Sequence, residues 1–304
     1  MHYLGIDVSK ATLDVSDPSG NNRLSSTNSR PGVRKIIRWA QGRFDCELQF
    51  VIEPTSTYHH VLLDELSTSN IAFTVINPAR TNAYSRSLGV RAKTDKVDAQ
   101  LLASLGETQQ LAASHRVDKA QEQIKSLRRH REAFEGEINS MSNRLEAATH
   151  SPFTDGEVIR SLRSIIRSLE KQVDAADRKL QRLISEDETY SSISSLLQTI
   201  PGVGLKTAQL LIAEMPPAWQ CDSSRAWVAF AGVCPQPVQS GTVSYSRLSR
   251  MGSRRVRTQM YMSAVVSMSC NPAVAALVER LKAKGKSGKL VVMARVLQDV
   301  RRFG

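Results

Sequence analysis

Asp7, Glu53, Asp95 and Asp98 are the residues of this 304-residue chain whose types and spacing best suit chemistry. Asp7 ends the apolar run that begins at Tyr3, and Glu53 ends Phe50-Val-Ile. A carboxylate at the end of a buried strand is costly to desolvate unless something positive meets it. Asp95 and Asp98 stand three apart in Lys93-Thr-Asp-Lys-Val-Asp-Ala99, at an expected helix start, so both point to one face. Four hard oxygen donors converging on one point suit Mg²⁺ or Mn²⁺ and phosphate chemistry. Taken singly they have plainer roles: Asp7 can cap a turn, and Asp95 and Asp98 can favour the dipole of a helix's first turn.

The elements that must position these side chains follow from the hydrophobic pattern. Residues 2–7, about 11–16 and 22–26 read as three short strands, with Asp17-Pro-Ser-Gly20 a strong turn between the second and third. A helix is expected from Gly32 to Gln41, a strand over 47–53, a helix from Thr57 to Leu66 and a strand from Ile71 to Ile76, stopped by Asn77-Pro78. A last helix begins near Asp95 and buries Val97, Leu101, Leu102 and Leu105. Three meandering strands followed by βαβ crossovers is the strand order of the ribonuclease-H-like fold. It sets the ends of the first and fourth strands side by side, and so Asp7 near Glu53.

From about Lys119 to Ile184 the apolar residues fall into heptads. Ile159, Leu162, Ile166, Leu169, Val173, Ala176, Leu180 and Leu183 form one unbroken series. Ile124, Leu127, Phe134, Ile138, Met141 and Leu145 form a weaker one, with Arg131 in an apolar slot. This is either a helical hairpin packed on itself or a coiled-coil arm joining subunits, and the length of the two series favours the arm. The last third reads as a second helical domain. It opens with Ile200-Pro-Gly-Val-Gly204, a helix-hairpin-helix signal whose following helix offers free backbone N–H groups to a DNA phosphate, with Lys206 adding charge. The plainer alternative is a turn between packed helices.

The net charge is +12, and thirteen Lys and Arg against two acids fall after residue 240. Such polarity suggests a polyanion partner, most simply nucleic acid, against the alternative of a solvated basic face. No apolar stretch reaches the roughly 18 residues of a membrane span, and no signal-peptide pattern opens the chain. A cytoplasmic or nucleoid-associated protein is therefore expected. Cys46, Cys221, Cys234 and Cys270 are too scattered for a metal knuckle and are expected to be small, reduced core residues. The pair His59 and His60 is expected on a helix surface.

Gly5-Ile-Asp-Val-Ser-Lys10, Glu53 with Thr55 and Tyr58, Ile76-Asn-Pro78 and Lys93-Thr-Asp-Lys-Val-Asp-Ala99 resemble the DEDD-type insertion-sequence transposases of the IS-one-ten family, to which a pilin-gene invertase is related. Ile200-Pro-Gly-Val-Gly204, Phe230-Ala-Gly232, Ser240-Gly241, Arg247-Leu-Ser-Arg-Met-Gly-Ser-Arg254 and Tyr261-Met262 extend the match through the second half. The resemblance implies an α/β plus all-α protein. A RuvC-like domain would span 1–113, a helical coiled-coil linker 114–190, and a helical transposase domain with a helix-hairpin-helix motif 191–304. It also implies a recombinase acting on double-stranded DNA as a homodimer or homotetramer, guided by a noncoding bridge RNA. The family's metal-holding carboxylates fall on Asp7, Glu53, Asp95 and Asp98, and its nucleophilic serine on Ser240. Lys206, Arg247, Arg250, Arg254, Arg255 and Arg257 would hold nucleic acid beside it. A site-specific invertase, or a RuvC-like nuclease using water, would share the carboxylates. Two positions depart from the pattern: Ser56 stands where many relatives have Gly, and Thr258 follows Arg257 where a second Arg is common.

Overall fold

Alternation along the first strand, β1 (His2–Val8), organises the first half of the molecule. Leu4, Ile6 and Val8 enter one apolar core, while Tyr3 enters another on the opposite face. The computed structural model describes residues 1–89, 95–114, 117–217, 223–233, 235–241, 243–248 and 252–285. The chain divides into two compact units, Met1–Val117 and Asp118–Gly304.

In the first unit β1 pairs antiparallel with β2 (Thr12–Ser16), which pairs antiparallel with β3 (Arg23–Thr27). On its other side β1 pairs parallel with β4 (Leu48–Ile52), and β4 with β5 (Ala72–Val75). The order β3-β2-β1-β4-β5 is the one the strand pattern predicts and fits a RuvC-like domain. Helix α1 (Arg30–Arg43) begins where the Ser29 hydroxyl accepts from the Gly32 N–H at 3.3 Å, and buries Val33, Ile36, Ile37 and Ala40 against the face of Leu4 and Ile6. Helix α2 (His60–Thr68) covers the same face through Leu62, Leu63 and Leu66. Helix α3 (Pro78–Ser87) is absent from the sequence expectation. Asn77-Pro78 ends β5 and also starts this helix, because the Asn77 side chain accepts from the Ala79 N–H at 2.9 Å. Among its ten residues only Thr81 is buried, so no apolar stripe announces it.

Glu65, 3% exposed at its side chain, ties α2 to α1 through Arg30 at 2.6 Å and Arg34 at 2.8 Å. The hydrogen bond from Arg34, outweighing burial and joined by Arg30, holds its carboxyl below the usual range. The sign follows: this stabilisation is complete above the ordinary carboxyl pKa of about 4.5 and fades as pH falls through the depressed one. Glu65→Gln is therefore expected to speed amide exchange in β4 at pH 7. The gap to wild type should narrow as pH falls through the depressed pKa and the Glu65 carboxyl becomes neutral.

The second unit is built on α5 (Lys119–His150) and α6 (Gly156–Glu186), packed along one another. Their bases share a core with α7 (Glu188–Gln198), α8 (Leu205–Glu214), α9 (Ser224–Ala231) and α10 (Arg254–Cys270), through Ile124, Leu180, Tyr190, Leu211, Trp227 and Met260. Arg131, in its apolar slot, is 1% exposed. It pairs with Glu135 at 2.6 Å one turn on and with Asp177 of α6. A buried guanidinium satisfied from two helices fixes their register, since breaking it leaves an uncompensated charge. Farther out, Ile159, Leu162, Ile166 and Leu169 are only half-buried in this single chain. The second half is also not purely helical. Strands β6 (Pro235–Ser240) and β7 (Val243–Leu248) form a two-stranded hairpin, and α11 (Pro272–Ala283) follows α10. Among the described residues no helix is long and apolar enough to cross a membrane.

Candidate active site

Parallel pairing in the register Gly5 to Val51 and Ile6 to Ile52 brings the next residues, Asp7 and Glu53, to the carboxyl ends of adjacent strands. Asp7 lies two residues past Gly5, and Glu53 two past Val51, so both carboxylates stand on the face that carries Tyr3 and Val51. Both are half-buried.

That face is covered by α4 (Asp95–Gln109), and two glycines decide how closely. A Cβ on Gly5 would lie 1.9 Å from the Ala99 carbonyl oxygen and 2.6 Å from the Ala103 nitrogen. A Cβ on Gly106 would lie 2.7 Å from both Tyr3 and Val51. At Gly5 backbone therefore rests on backbone, and at Gly106 the helix backbone rests on the Tyr3 and Val51 side chains. Because Ala99 meets Gly5 while Gly106 meets the earlier Tyr3, α4 runs antiparallel to β1. Its first turn, which holds Asp95 and the half-buried Asp98, is thus directed toward the Asp7 end of the strand. The Asp95 side chain lies outside the described residues.

The structure adds a carboxylate that sequence reading passed over. Asp14 of β2 stands directly opposite Asp7 in the antiparallel register and so shares its face. Its signal was the alternation Leu13-Asp14-Val15, which shows a polar face but not what lies across it. Adjacent like charges are unfavourable without a cation between them. The donors are all hard oxygens of the kind Mg²⁺ takes. Among the described residues, however, no three His, Cys, Asp or Glu side chains are gathered closely enough to hold a metal.

Gly5→Ala tests this positioning. The methyl group meets backbone rather than a movable side chain, so α4 must shift. The expected cost is about 1–3 kcal/mol in thermal stability. Any catalysis that depends on these carboxylates should also fall about a hundredfold, as misplacement of catalytic groups by an ångström does. Gly106→Ala meets side chains instead of backbone and presses on the far end of the helix, so it should cost less on both counts.

Ser240 is exposed and ends β6 at the hairpin turn, paired with Val243. Gly241 follows with φ +56°, a left-handed conformation cheap only for glycine, and a Cβ there would meet nothing within 4 Å. The hairpin leaves and returns through one clamp. Gly232, at φ +72°, ends α9, and a Cβ on Gly252 would lie 2.5 Å from the Gly232 nitrogen. The Ser253 N–H donates to the Phe230 carbonyl at 3.0 Å, and Arg257 Nη1 donates to the Gly232 carbonyl at 3.0 Å. Two motifs far apart in sequence, Phe230-Ala-Gly232 and Gly252-Ser253, are thus one structure.

The turn from α7 to α8 divides its glycines between two tasks. Gly202, at φ +95°, lets α10 approach, since a Cβ there would sit 2.7 Å from the Ser263 carbonyl oxygen. Gly204 caps α8 without a side-chain bond and has open space around it, as an anion-receiving helix start requires. Lys206 is exposed, 3.9 Å from Glu135, and Arg255 donates to Glu132 at 2.9 Å, so these two cations meet the same stretch of α5. Arg254 is exposed, the Arg247 side chain lies outside the described residues, and so does Arg250 altogether.

Two smaller expectations change. Cys46 is exposed rather than a core residue, while the Cys221, Cys234 and Cys270 side chains lie outside the described residues. His59 is buried at the start of α2, and only His60 is exposed. Ser56 adopts φ +49°, which explains why glycine suits that position.

Comparison with known proteins draws on both units. A family model described as a transposase, of the DEDD IS110 type, matches residues 4–153. A second, described as transposase of the IS116/IS110/IS902 family, matches residues 194–279. The chain is similar to the pilin gene-inverting protein of Moraxella bovis, 29% identical over 301 residues, covering 96% of this chain and 91% of that protein. Its counterpart in Moraxella lacunata is 28% identical over the same shares. An uncharacterized 43.6 kDa protein of insertion element IS110 from Streptomyces coelicolor is 27% identical over 131 residues, 43% of this chain and 31% of that protein.

Proposed function

The chain carries both transposase domains of the IS110 family, in order along the sequence, and from that premise we propose a DNA recombinase of a mobile element that cuts and rejoins DNA through a serine ester at Ser240. The observation that carries this reading is the arrangement of Asp7 and Glu53 at neighbouring strand ends, on the face covered by α4. Asp7, Glu53, Asp95 and Asp98 would hold Mg²⁺ or Mn²⁺. The bound ion supplies Lewis-acid charge that polarises the phosphate and stabilises the departing oxygen.

The Ser240 hydroxyl oxygen attacks phosphorus, forming a P–O bond as the bond to a sugar oxygen breaks; that oxygen takes the proton. The ester keeps the bond energy, and an incoming sugar hydroxyl reverses the step to join a new strand. An exposed hairpin end followed by Gly241 suits such an approach to a backbone phosphate. Lys206, Arg247, Arg250, Arg254, Arg255 and Arg257 hold neighbouring phosphates, and the α7–α8 turn serves as a helix-hairpin-helix contact. The helical arm of α5 and α6 joins copies into a homodimer or homotetramer, which recombination of two duplexes requires. A noncoding bridge RNA guides the choice of DNA, and the protein works in the bacterial cytoplasm at the nucleoid.

A second reading, site-specific inversion, is favoured by the near full-length similarity to pilin gene-inverting proteins. It uses the same residues on a fixed pair of sites, and an invertible segment beside the gene would distinguish it. The test of the shared chemistry is incubation with Mg²⁺ and substrate duplex, followed by a search for a protein–DNA adduct that resists SDS. RNA co-purifying with the expressed protein tests guidance. Its consistent absence from active preparations would remove the RNA while leaving the recombinase.

A further inference from the structure

One face of α6 carries a charge pattern that the helix's own energetics oppose. Arg160, Arg163, Arg167 and Lys171 follow at steps of three, four and four residues and are all exposed. With Ser164 and Ser168 they line one shallow groove. The spacing sets four cations on a stripe about 16 Å long. Like charges one turn apart disfavour a helix. From Val158 to Leu169 no acid offsets them. Glu157 stands 3.7 Å from Arg160, with both side chains well exposed.

Elsewhere on the same hairpin several cations have acidic partners. Arg182 lies 3.4 Å from Glu186, and Asp177 takes Arg131. Glu170 and Asp174 line a separate groove with Glu135 and Asn139. A stretch that breaks a local helix rule needs a compensating gain, and a polyanion supplies one by releasing its counterions. The groove is lined by four cations and two serines, and such side chains most often bind phosphate oxygens, which position a protein without reading sequence. Its contacts therefore fall on phosphates.

We infer that Arg160, Arg163, Arg167 and Lys171 form a sequence-independent contact to the phosphate backbone of duplex DNA. The inference rests on the reading of the chain as a DNA-acting enzyme. The test uses the full-length protein and two unrelated labelled duplexes, with affinity measured across salt concentration. For the double variant Arg163→Gln, Arg167→Gln, the slope of log affinity against log salt should become shallower by about 1.8, two contacts at about 0.9 each. Affinity at 0.1 M salt should fall roughly sixtyfold, the two lines meeting near 1 M salt, and equally for both duplexes. Helicity and mass by light scattering should not change. Glu170→Gln with Asp174→Asn, on the other groove, should leave the slope as it is or steepen it.

A variant slope equal to wild type would overturn the inference alone. So would a fall in mass, marking an interface between copies, or a loss confined to a structured RNA probe. Wild-type protein that binds no duplex would sink the broader DNA-enzyme reading and this contact with it.

Discussion

Asp7→Asn is expected to lower DNA cleavage by about a thousandfold while leaving the protein as stable as before, or slightly more so. The two effects share one cause. Asp7 faces Asp14 across the antiparallel pair and sits beside Glu53 across the parallel one. Like charges side by side in that row are unfavourable to one another, and the isosteric amide relieves up to about 1 kcal/mol of that repulsion. The same change removes an anionic oxygen donor from the place where the metal would be held. Asparagine keeps the side chain's size, so the strand and the α4 contact at Gly5 survive. Urea unfolding without metal checks stability, cleavage of a duplex checks chemistry, and the rise in thermal midpoint on adding Mg²⁺ checks binding apart from turnover. That rise should be large in wild type and small in the variant. A variant that cleaves near the wild-type rate would remove Asp7 from the site.

Why Asp7 and Glu53 were legible while Asp14 was not is a matter of range. The apolar runs at Leu4–Ile6 and Phe50–Ile52 mark strands, and the βαβ connection makes them parallel neighbours, so adjacency of their ends follows from chain order. The Asp7–Asp14 pairing depends on a hairpin register that no residue pattern fixes to a single position. Helix α3 escaped because it is polar nearly all round. The β6–β7 hairpin escaped because Pro235 and Pro237 argue against a strand, although a short two-stranded ribbon tolerates them. The clamp between Gly232 and Gly252 joins residues twenty apart and shows in sequence only as two glycines. Arg131 looked like a flaw in a heptad, yet its partner Asp177 lies on the facing helix, beyond any local pattern.

Ser240→Ala is expected to abolish the SDS-resistant adduct completely while leaving stability within about 0.5 kcal/mol of wild type. The side chain is exposed at the end of β6, and the hairpin is held by its backbone pairing with Val243 and by the clamp at its base, neither of which needs the hydroxyl. DNA binding should therefore persist, and a lost adduct cannot be ascribed to a lost fold. The two variants together separate three chemistries. If the serine is the nucleophile, Ser240→Ala retains DNA but neither cuts nor attaches to it, and Asp7→Asn behaves alike because the attack lacks its charge stabilisation. If water is the nucleophile, Ser240→Ala cuts normally, no adduct forms even in wild type, and only Asp7→Asn is inert, which would make the protein a structure-specific nuclease. If an adduct persists in Ser240→Ala, another residue carries the ester, and mapping the labelled peptide would identify it. A hydroxyl on an exposed turn gains reactivity only from what is brought to it, so the serine reading requires both substitutions to be silent in binding and severe in chemistry.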